Sequence, residues 1–143
     1  MSVKFQLASR DLPLILVRVN LESKTKSRLV TAIIDTGATG CVMTQDLATA
    51  LELDTIDVPE EEKNAHGIGG VVTIEFVKAK KIALDQAETK NMRVAVMDMA
   101  VIHNQFHIQG ISPKKKVEMI LGYPFFYRRV LKIDYKTKTL SLK

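Results

Sequence analysis

Cysteine is nearly absent from this sequence, which has Cys41 alone among 143 residues. One thiol cannot form an intrachain disulfide, and no group of Cys and His stands at the spacing of a metal site, so the fold must be held by packing. The longest apolar runs, Leu12–Val17 and Leu29–Ile34, are too short to span a membrane. The N-terminus has no apolar run ending in a small-residue cleavage site. We therefore expect a soluble cytoplasmic protein.

Acidic residues are scarce near the C-terminus, where the segment from Lys114 to Lys143 has nine Lys or Arg against two acids. A basic excess of this kind is typical of nucleic-acid-binding surfaces. Here, however, the basic residues alternate with Val, Leu and Ile at strand spacing, and no aromatic platform or recognition helix accompanies them. A strand face in contact with solvent is the better interpretation, and we expect no nucleic-acid partner.

Strand composition dominates the chain, and its length and 46% apolar content fit one domain, residues 1–143. One helix is predicted at Gln45–Leu53, capped by Thr44, and a shorter one from Pro124 to Arg128. Asp54–Lys63 is predicted to be a surface connection, and Ala100–Lys116 a long loop because it has no clear hydrophobic period. The predicted strands are Leu12–Asn20, Leu29–Ile34, Val71–Val77, Lys80–Leu84, Met92–Met97, Met119–Leu121, Leu131–Tyr135 and Thr139–Leu142.

Two histidines and the single cysteine could suggest a metal site or a regulatory thiol, but neither function is predicted. His103 and His107 are four residues apart and would form a metal pair on a helix, but no third ligand is evident and the segment does not look helical. We predict that both lie in a loop. Cys41 is predicted to be a small buried thiol rather than a regulatory one.

The tripeptide Asp35-Thr36-Gly37 is the strongest candidate for chemistry. A carboxylate that leaves the end of an apolar strand is placed to project into a cleft. Gly37 allows a ligand or a second chain to approach the backbone, and the Thr36 hydroxyl can bond a neighbouring main chain. An Asp at a strand-to-turn junction also commonly caps local amides, so the tripeptide alone leaves both interpretations open.

Two later segments strengthen the first interpretation by their order in the chain. Gly67-Ile68-Gly69-Gly70 is a glycine-rich tip. It is not a phosphate loop, because no Lys followed by Ser or Thr comes after it. Ile120-Leu121-Gly122 is a second apolar run that ends in glycine, like Ile33 to Gly37, but it contains no carboxylate.

With these segments in this order, the chain resembles the retropepsin-like aspartic proteases, in particular their cellular and bacterial single-domain members. The resemblance extends from about Leu12 to Leu142. Members of this family often have Asp where Glu118 and Pro124 stand, and the stretch Ala100–Lys116 looks longer than usual.

The resemblance implies a mostly β fold, a closed retropepsin-like barrel with one or two short helices and one lobe per chain. It also implies a role for each matched segment. Asp35 would be catalytic, Thr36 would bond across a dimer axis, and the amides of Gly37 and Ala38 would orient the carboxylate. The flap over a bound peptide would be formed by Gly67, Ile68, Gly69 and Gly70. The residues packed under the active-site loop would be Ile120, Leu121 and Gly122.

Aspartic protease chemistry needs two facing carboxylates and no metal or organic cofactor, and this chain has one motif of the required kind. The resemblance therefore implies a homodimer, in which Asp35 of each chain forms the dyad, the C-terminal hairpins meet, and a peptide or protein is the substrate. The alternative is a catalytically weak or inactive peptide-binding and dimerisation module with the same fold. The intact Asp35, Thr36 and Gly37 favour the endopeptidase.

Overall fold

The computed structural model describes residues 1–67, 70–108, 110 and 116–143, and within them it contains thirteen strands, three α-helices and one 3-10 helix. The helices are α1 (Gln45–Ala50), α2 (Ala100–Ile108) and α3 (Tyr123–Phe126), and the 3-10 helix spans Glu60–Lys63. The strands are β1 (Val3–Lys4), β2 (Gln6–Leu7), β3 (Ile15–Glu22), β4 (Ser27–Ile34), β5 (Val42–Met43), β6 (Asp54–Ile56), β7 (Asn64–Gly67), β8 (Gly70–Thr73), β9 (Glu75–Leu84), β10 (Ala87–Val96), β11 (Met119–Leu121), β12 (Leu131–Asp134) and β13 (Thr139–Leu142).

Six of these strands close into a barrel. Around the ring, β3 pairs with β4, β4 with β11, β11 with β5, β5 with β10, β10 with β9, and β9 again with β3. Two of the pairings, β4 with β11 and β5 with β10, are parallel. The predicted mostly β, closed fold is therefore confirmed.

The apolar residues of β3 pack on both sides of the sheet, as their lack of alternation predicts. Val17, Val19 and Leu21 are buried in the main core inside the barrel. On the opposite face, Leu16 and Ile33 belong to a second buried cluster. The other buried members of that cluster are Ala8, Met99 and Val117.

The C-terminal hairpin forms a separate three-stranded sheet in the order β1, β13, β12. Leu140 and Leu142 of β13 are buried in the main core. In β12, Leu131 and Ile133 are half-buried against that core, whereas Lys132 and Asp134 are exposed. Within the described residues β12 pairs with β13 alone, so its outer hydrogen-bonding edge is open.

Two sequence-based predictions about connections are wrong. Asp54–Lys63 is not a plain connection, because β6 pairs with β9 and a 3-10 helix follows. Ala100–Lys116 is not a loop throughout, because α2 occupies its first nine residues. The Nε2 atom of His103 lies 2.9 Å from the carbonyl oxygen of Val117, and this contact ties α2 to the segment before β11. Among the helices of the described residues, none has the length and apolar character needed to cross a membrane.

Candidate active site

Asp35 stands where β4 ends, and its backbone is held on two sides. Its amide donates a hydrogen bond of 3.0 Å to the carbonyl oxygen of Leu121, and its own carbonyl accepts one of 3.1 Å from the amide of Ala38. The second bond closes a turn through Thr36 and Gly37. The sequence-predicted residues 35 to 38 therefore form one compact loop at a strand end.

The loop lies against the second glycine segment recognised in the sequence. β4 and β11 pair in parallel, with Ile33 opposite Ile120 and Ile34 opposite Leu121. Both strands run in the same direction and end at the same level, so Gly122 follows β11 where Asp35 follows β4. The two similar segments of the sequence are thus neighbours in the barrel.

Gly122 is needed because the loop rests directly on its backbone. A Cβ atom on Gly122 would overlap the carbonyl oxygen of Gly40 and lie 2.9 Å from the carbonyl oxygen of Ala38. The next amide, that of Tyr123, donates a hydrogen bond of 2.8 Å to the same Ala38 carbonyl. Glycine has no Cβ, and this is what permits such close backbone contact.

Cys41 packs against Gly122, the glycine that supports the loop. Its Sγ atom accepts a hydrogen bond of 3.4 Å from the Gly122 amide, and its thiol lies 3.8 Å from the Sδ atom of Met92. Burial raises the pKa of the Cys41 thiol above its ordinary value, although hydrogen bonds from the backbone of Gly122 and Phe125 oppose the shift. The prediction of a buried thiol is confirmed, because the side chain is 2% exposed.

The loop of residues 35 to 38 is open to solvent in the single chain. Asp35, Thr36 and Gly37 are all exposed, although they follow a buried strand. A Cβ atom on Gly37 would lie 3.6 Å from Oδ1 of Asp35, so the carboxylate lies beside Gly37. A loop that presents an exposed carboxylate in this way is a surface that another molecule can cover.

A groove of about 960 Å³ begins at Gly37 and runs between the loop and β10. Ile74, which directly follows β8, lines it, as do Phe76 of β9 and Arg93 of β10. The sequence alone did not point to Phe76 or Arg93. Their place in the groove depends on the pairing of β9 with β10, a long-range feature that no local pattern reports.

The glycine-rich tip belongs to a hairpin. β7 and β8 pair antiparallel, with Gly67 opposite Gly70 and His66 opposite Val71. Ile68 and Gly69, the other two predicted flap residues, lie outside the described residues. Since Ile74 follows this hairpin and lines the groove, the hairpin starts from the edge of the groove.

The donor atoms that could hold a metal are dispersed. Within the described part of the chain, no three side chains of His, Cys, Asp or Glu come together as a ligand group. His103 and His107 do lie on a helix, contrary to the sequence-based prediction, and the ring of His103 contacts a backbone carbonyl.

The chain belongs to the aspartyl protease family, because a family model of that description matches residues 17–125. Its fold is retropepsin-like. It is similar to the crystal structure of a retropepsin-like aspartic protease from Rickettsia conorii, with 16% sequence identity, a TM-score of 0.54, and coverage of 98% of this chain and 86% of that one.

A second solved structure, the retroviral protease-like domain of Ddi1 from Leishmania major, matches with 14% identity and a TM-score of 0.48, covering 91% of this chain and 94% of that one. Among curated proteins none matches the sequence.

Proposed function

We propose that the protein is a homodimeric aspartic endopeptidase whose active site forms where two copies of Asp35 meet. The observation that carries this proposal is the exposed Asp35-Thr36-Gly37 loop, held by Leu121 and supported by Gly122, in a chain of the aspartyl protease family. The family chemistry requires two carboxylates, and this chain offers one motif for it. A second copy related by a two-fold axis supplies the other.

In the proposed mechanism, the two Asp35 carboxyl groups share one proton. Aspartic proteases are the standard example of such a pair, because two close carboxylates resist ionising together. The ionised Asp35 takes a proton from a water molecule, whose oxygen attacks the carbonyl carbon of the scissile bond. The protonated Asp35 gives its proton to the carbonyl oxygen. The C–N bond of the tetrahedral intermediate then breaks as its nitrogen receives a proton from one Asp35, while a hydroxyl of the intermediate returns its proton to the other, which restores the shared proton of the dyad.

The other residues of the site serve the geometry of this pair. Thr36 is proposed to bond across the two-fold axis, and the amides of Gly37 and Ala38 to orient the carboxylate once the partner is in place. The substrate is proposed to bind as an extended strand between the loop and the hairpin of β7 and β8. That hairpin, with Gly67, Ile68, Gly69 and Gly70 at its tip, is the proposed flap.

The open edge of β12 supports a specific way of pairing two chains. In an antiparallel pair, directly opposite residues lie on the same face of the sheet. When a two-fold axis relates the two strands, this is possible only if the axis passes through one residue position, where that residue faces its own copy in the partner. Centring the pair on Lys132 would oppose two lysines, and centring it on Asp134 would oppose two aspartates. Centring it on Ile133 opposes the two isoleucines and places each Lys132 opposite Asp134 of the partner subunit. Opposite charges in that position favour pairing.

Exposed aromatic residues precede β12 in the chain and support the same association. Tyr123 and Tyr127 are each 54% exposed, and their rings meet edge to face with centroids 6.0 Å apart. Val130, directly before β12, is 52% exposed. The amide of Tyr123 donates a hydrogen bond to the carbonyl oxygen of Ala38, so these exposed residues follow the chain from the loop to the start of β12. Covering such surface is a driving force for association.

The test of this proposal is cleavage of a peptide library by the purified protein between pH 3.5 and 7.5, with mass recorded by light scattering. The matched control is Asp35→Asn, which keeps the size of the side chain and removes its charge. We expect a dimer that cleaves peptides, and an Asp35→Asn dimer that does not. A folded wild-type dimer that cleaves nothing at any pH would favour the binding-module alternative.

A deletion of the C-terminal hairpin is a poor test of the interface. Leu140 and Leu142 are buried in the core, so removing the last five residues would destabilise the monomer as well as any dimer. Charge changes on β12 leave the core intact and separate the two effects.

A further inference from the structure

The groove that begins at Gly37 has an uneven charge. Two cations, Lys90 and Arg93, line it, and no described carboxylate does. Its remaining surface is largely apolar and includes Ile74, Phe76 and Met97. A groove beside a peptidase loop that offers cations and apolar surface fits an extended segment in which an acidic side chain accompanies apolar ones.

Arg93 is held in position to bind such a side chain. The central carbon of its guanidinium lies 4.5 Å from the centroid of the Phe76 ring, so the planar group is placed over the aromatic face. One nitrogen, Nη1, lies 3.2 Å from Oε2 of Glu62, just before β7. A guanidinium has five N–H donors in a rigid fork, so donors remain for a second carboxylate.

The ion pair with Glu62 does not remove this capacity. The side chains of Arg93 and Glu62 are 52% and 48% exposed, and pairs between such exposed groups are weak. Arg93 is thus the cation that the structure positions in the groove, beside the ring of Phe76. A substrate carboxylate that reaches the fork can therefore bind beside Glu62 or displace it.

We propose that Arg93 is a specificity-determining residue, and that this groove binds an Asp or Glu side chain of the peptide substrate at a position away from the scissile bond. The ring of Phe76 holds the guanidinium in place. This inference rests on the proposed endopeptidase function and adds the class of substrate to it.

The test uses pairs of fluorogenic peptides that differ only in Glu or Gln at one position, scanned along a cleaved sequence. At one position we expect the Glu peptide to have a kcat/KM about tenfold higher, the scale of one charge-assisted hydrogen bond that is partly exposed. The ratio should fall toward one in Arg93→Gln, take an intermediate value in Arg93→Lys, and decrease with added salt. The matched control, Arg18→Gln, removes an exposed arginine outside the groove and should keep the wild-type ratio.

The outcomes separate this inference from the function on which it rests. Cleavage by the wild-type protein with a Glu to Gln ratio near one at every position, or a ratio that survives in Arg93→Gln, would overturn the specificity proposal and leave the peptidase intact. If no peptide is cleaved, binding of the same pairs to Asp35→Asn is measured by fluorescence anisotropy. A Glu preference in binding that depends on Arg93 would support the groove, and equal binding or none would refute it.

Discussion

Reversing the charge of Lys132 should weaken self-association while leaving the fold of each chain intact. Lys132 is exposed on β12, and in the proposed register it faces Asp134 of the partner subunit. In Lys132→Asp, two aspartates would face each other at both ends of the strand pair. Asp134→Lys would bring two lysines together in the same way. Each variant alone is therefore expected to dimerise poorly.

The expected size of the effect follows from the symmetry. The two-fold axis makes the contact between positions 132 and 134 occur twice in each dimer. Changing one directly opposed charge pair on a sheet from attraction to repulsion alters an equilibrium by about fivefold. Two such pairs should raise the dimer Kd by about 25-fold at low salt, and less at high salt because the groups are exposed.

Mixing the two variants provides the decisive assay. In a mixed dimer, the aspartate introduced by Lys132→Asp in one chain faces the lysine introduced by Asp134→Lys in the other. At the other end of the strand pair, the unchanged Asp134 of the first chain faces the unchanged Lys132 of the second, so both contacts become attractive. Sedimentation or light scattering at a concentration where neither variant dimerises should show dimers in the mixture. Peptidase activity should return with them.

One side effect is controlled by this design. The Asp134 carboxylate also accepts hydrogen bonds from the amides of Lys136 and Thr137, at 2.9 and 3.0 Å, and the Thr137 bond is the main reason why its pKa lies below the ordinary value. Asp134→Lys therefore weakens the β12–β13 turn to the same extent when the variant is alone and when it is mixed with Lys132→Asp. A gain of dimer on mixing cannot come from this effect. Variants that dimerise as well as the wild-type protein, or a mixture that gains no dimer, would refute the proposed register.

Three further predictions concern the loop and its supports. Gly122→Ala should lower the free energy of unfolding by about 1–3 kcal/mol, because its Cβ would push into the backbone of Gly40; an unchanged urea midpoint would contradict this. Cys41 should react with iodoacetamide at pH 7.5 at least about a hundredfold more slowly in the native protein than in urea, since burial raises its pKa and blocks access; equal rates, followed by mass spectrometry, would show that the thiol is accessible. Arg28→Gln should cost about 1–2 kcal/mol, because it leaves the buried carboxylate of Glu118 without its ion pair at 3.3 Å. Adding Glu118→Gln should recover part of that loss in thermal melts, and an additive double variant would argue against the pair.

The sequence predicts those parts of the fold that depend on local pattern. The apolar run before Asp35 and the shorter one before Gly122 each form the predicted strand, and Thr44 caps the predicted helix through a hydrogen bond from the Leu47 amide. The terminal hairpin also forms, because two short apolar runs flank a polar turn. In each of these cases the local pattern and the tertiary environment favour the same structure.

The features that were missed depend on contacts between distant segments. Asp54–Ile56 has the composition of a loop, and it becomes a strand only because β9 offers its edge. α2 lacks an amphipathic period, yet it is anchored through His103 and follows the buried Met99. The groove residues Phe76 and Arg93 meet through the register of two long strands. Such register is set by the closure of the barrel, which no short window of sequence contains.

The most direct test of a shared active site is to titrate inactive Asp35→Asn chain into a fixed amount of wild-type protein, after allowing subunits to exchange. If one Asp35 from each chain is required, every mixed dimer is inactive. Random pairing with an equal amount of Asp35→Asn should then reduce the measured activity to about half, and a threefold excess should reduce it to about a quarter. Activity that stays constant across the titration would show that one chain suffices for catalysis, and it would contradict the proposed dyad.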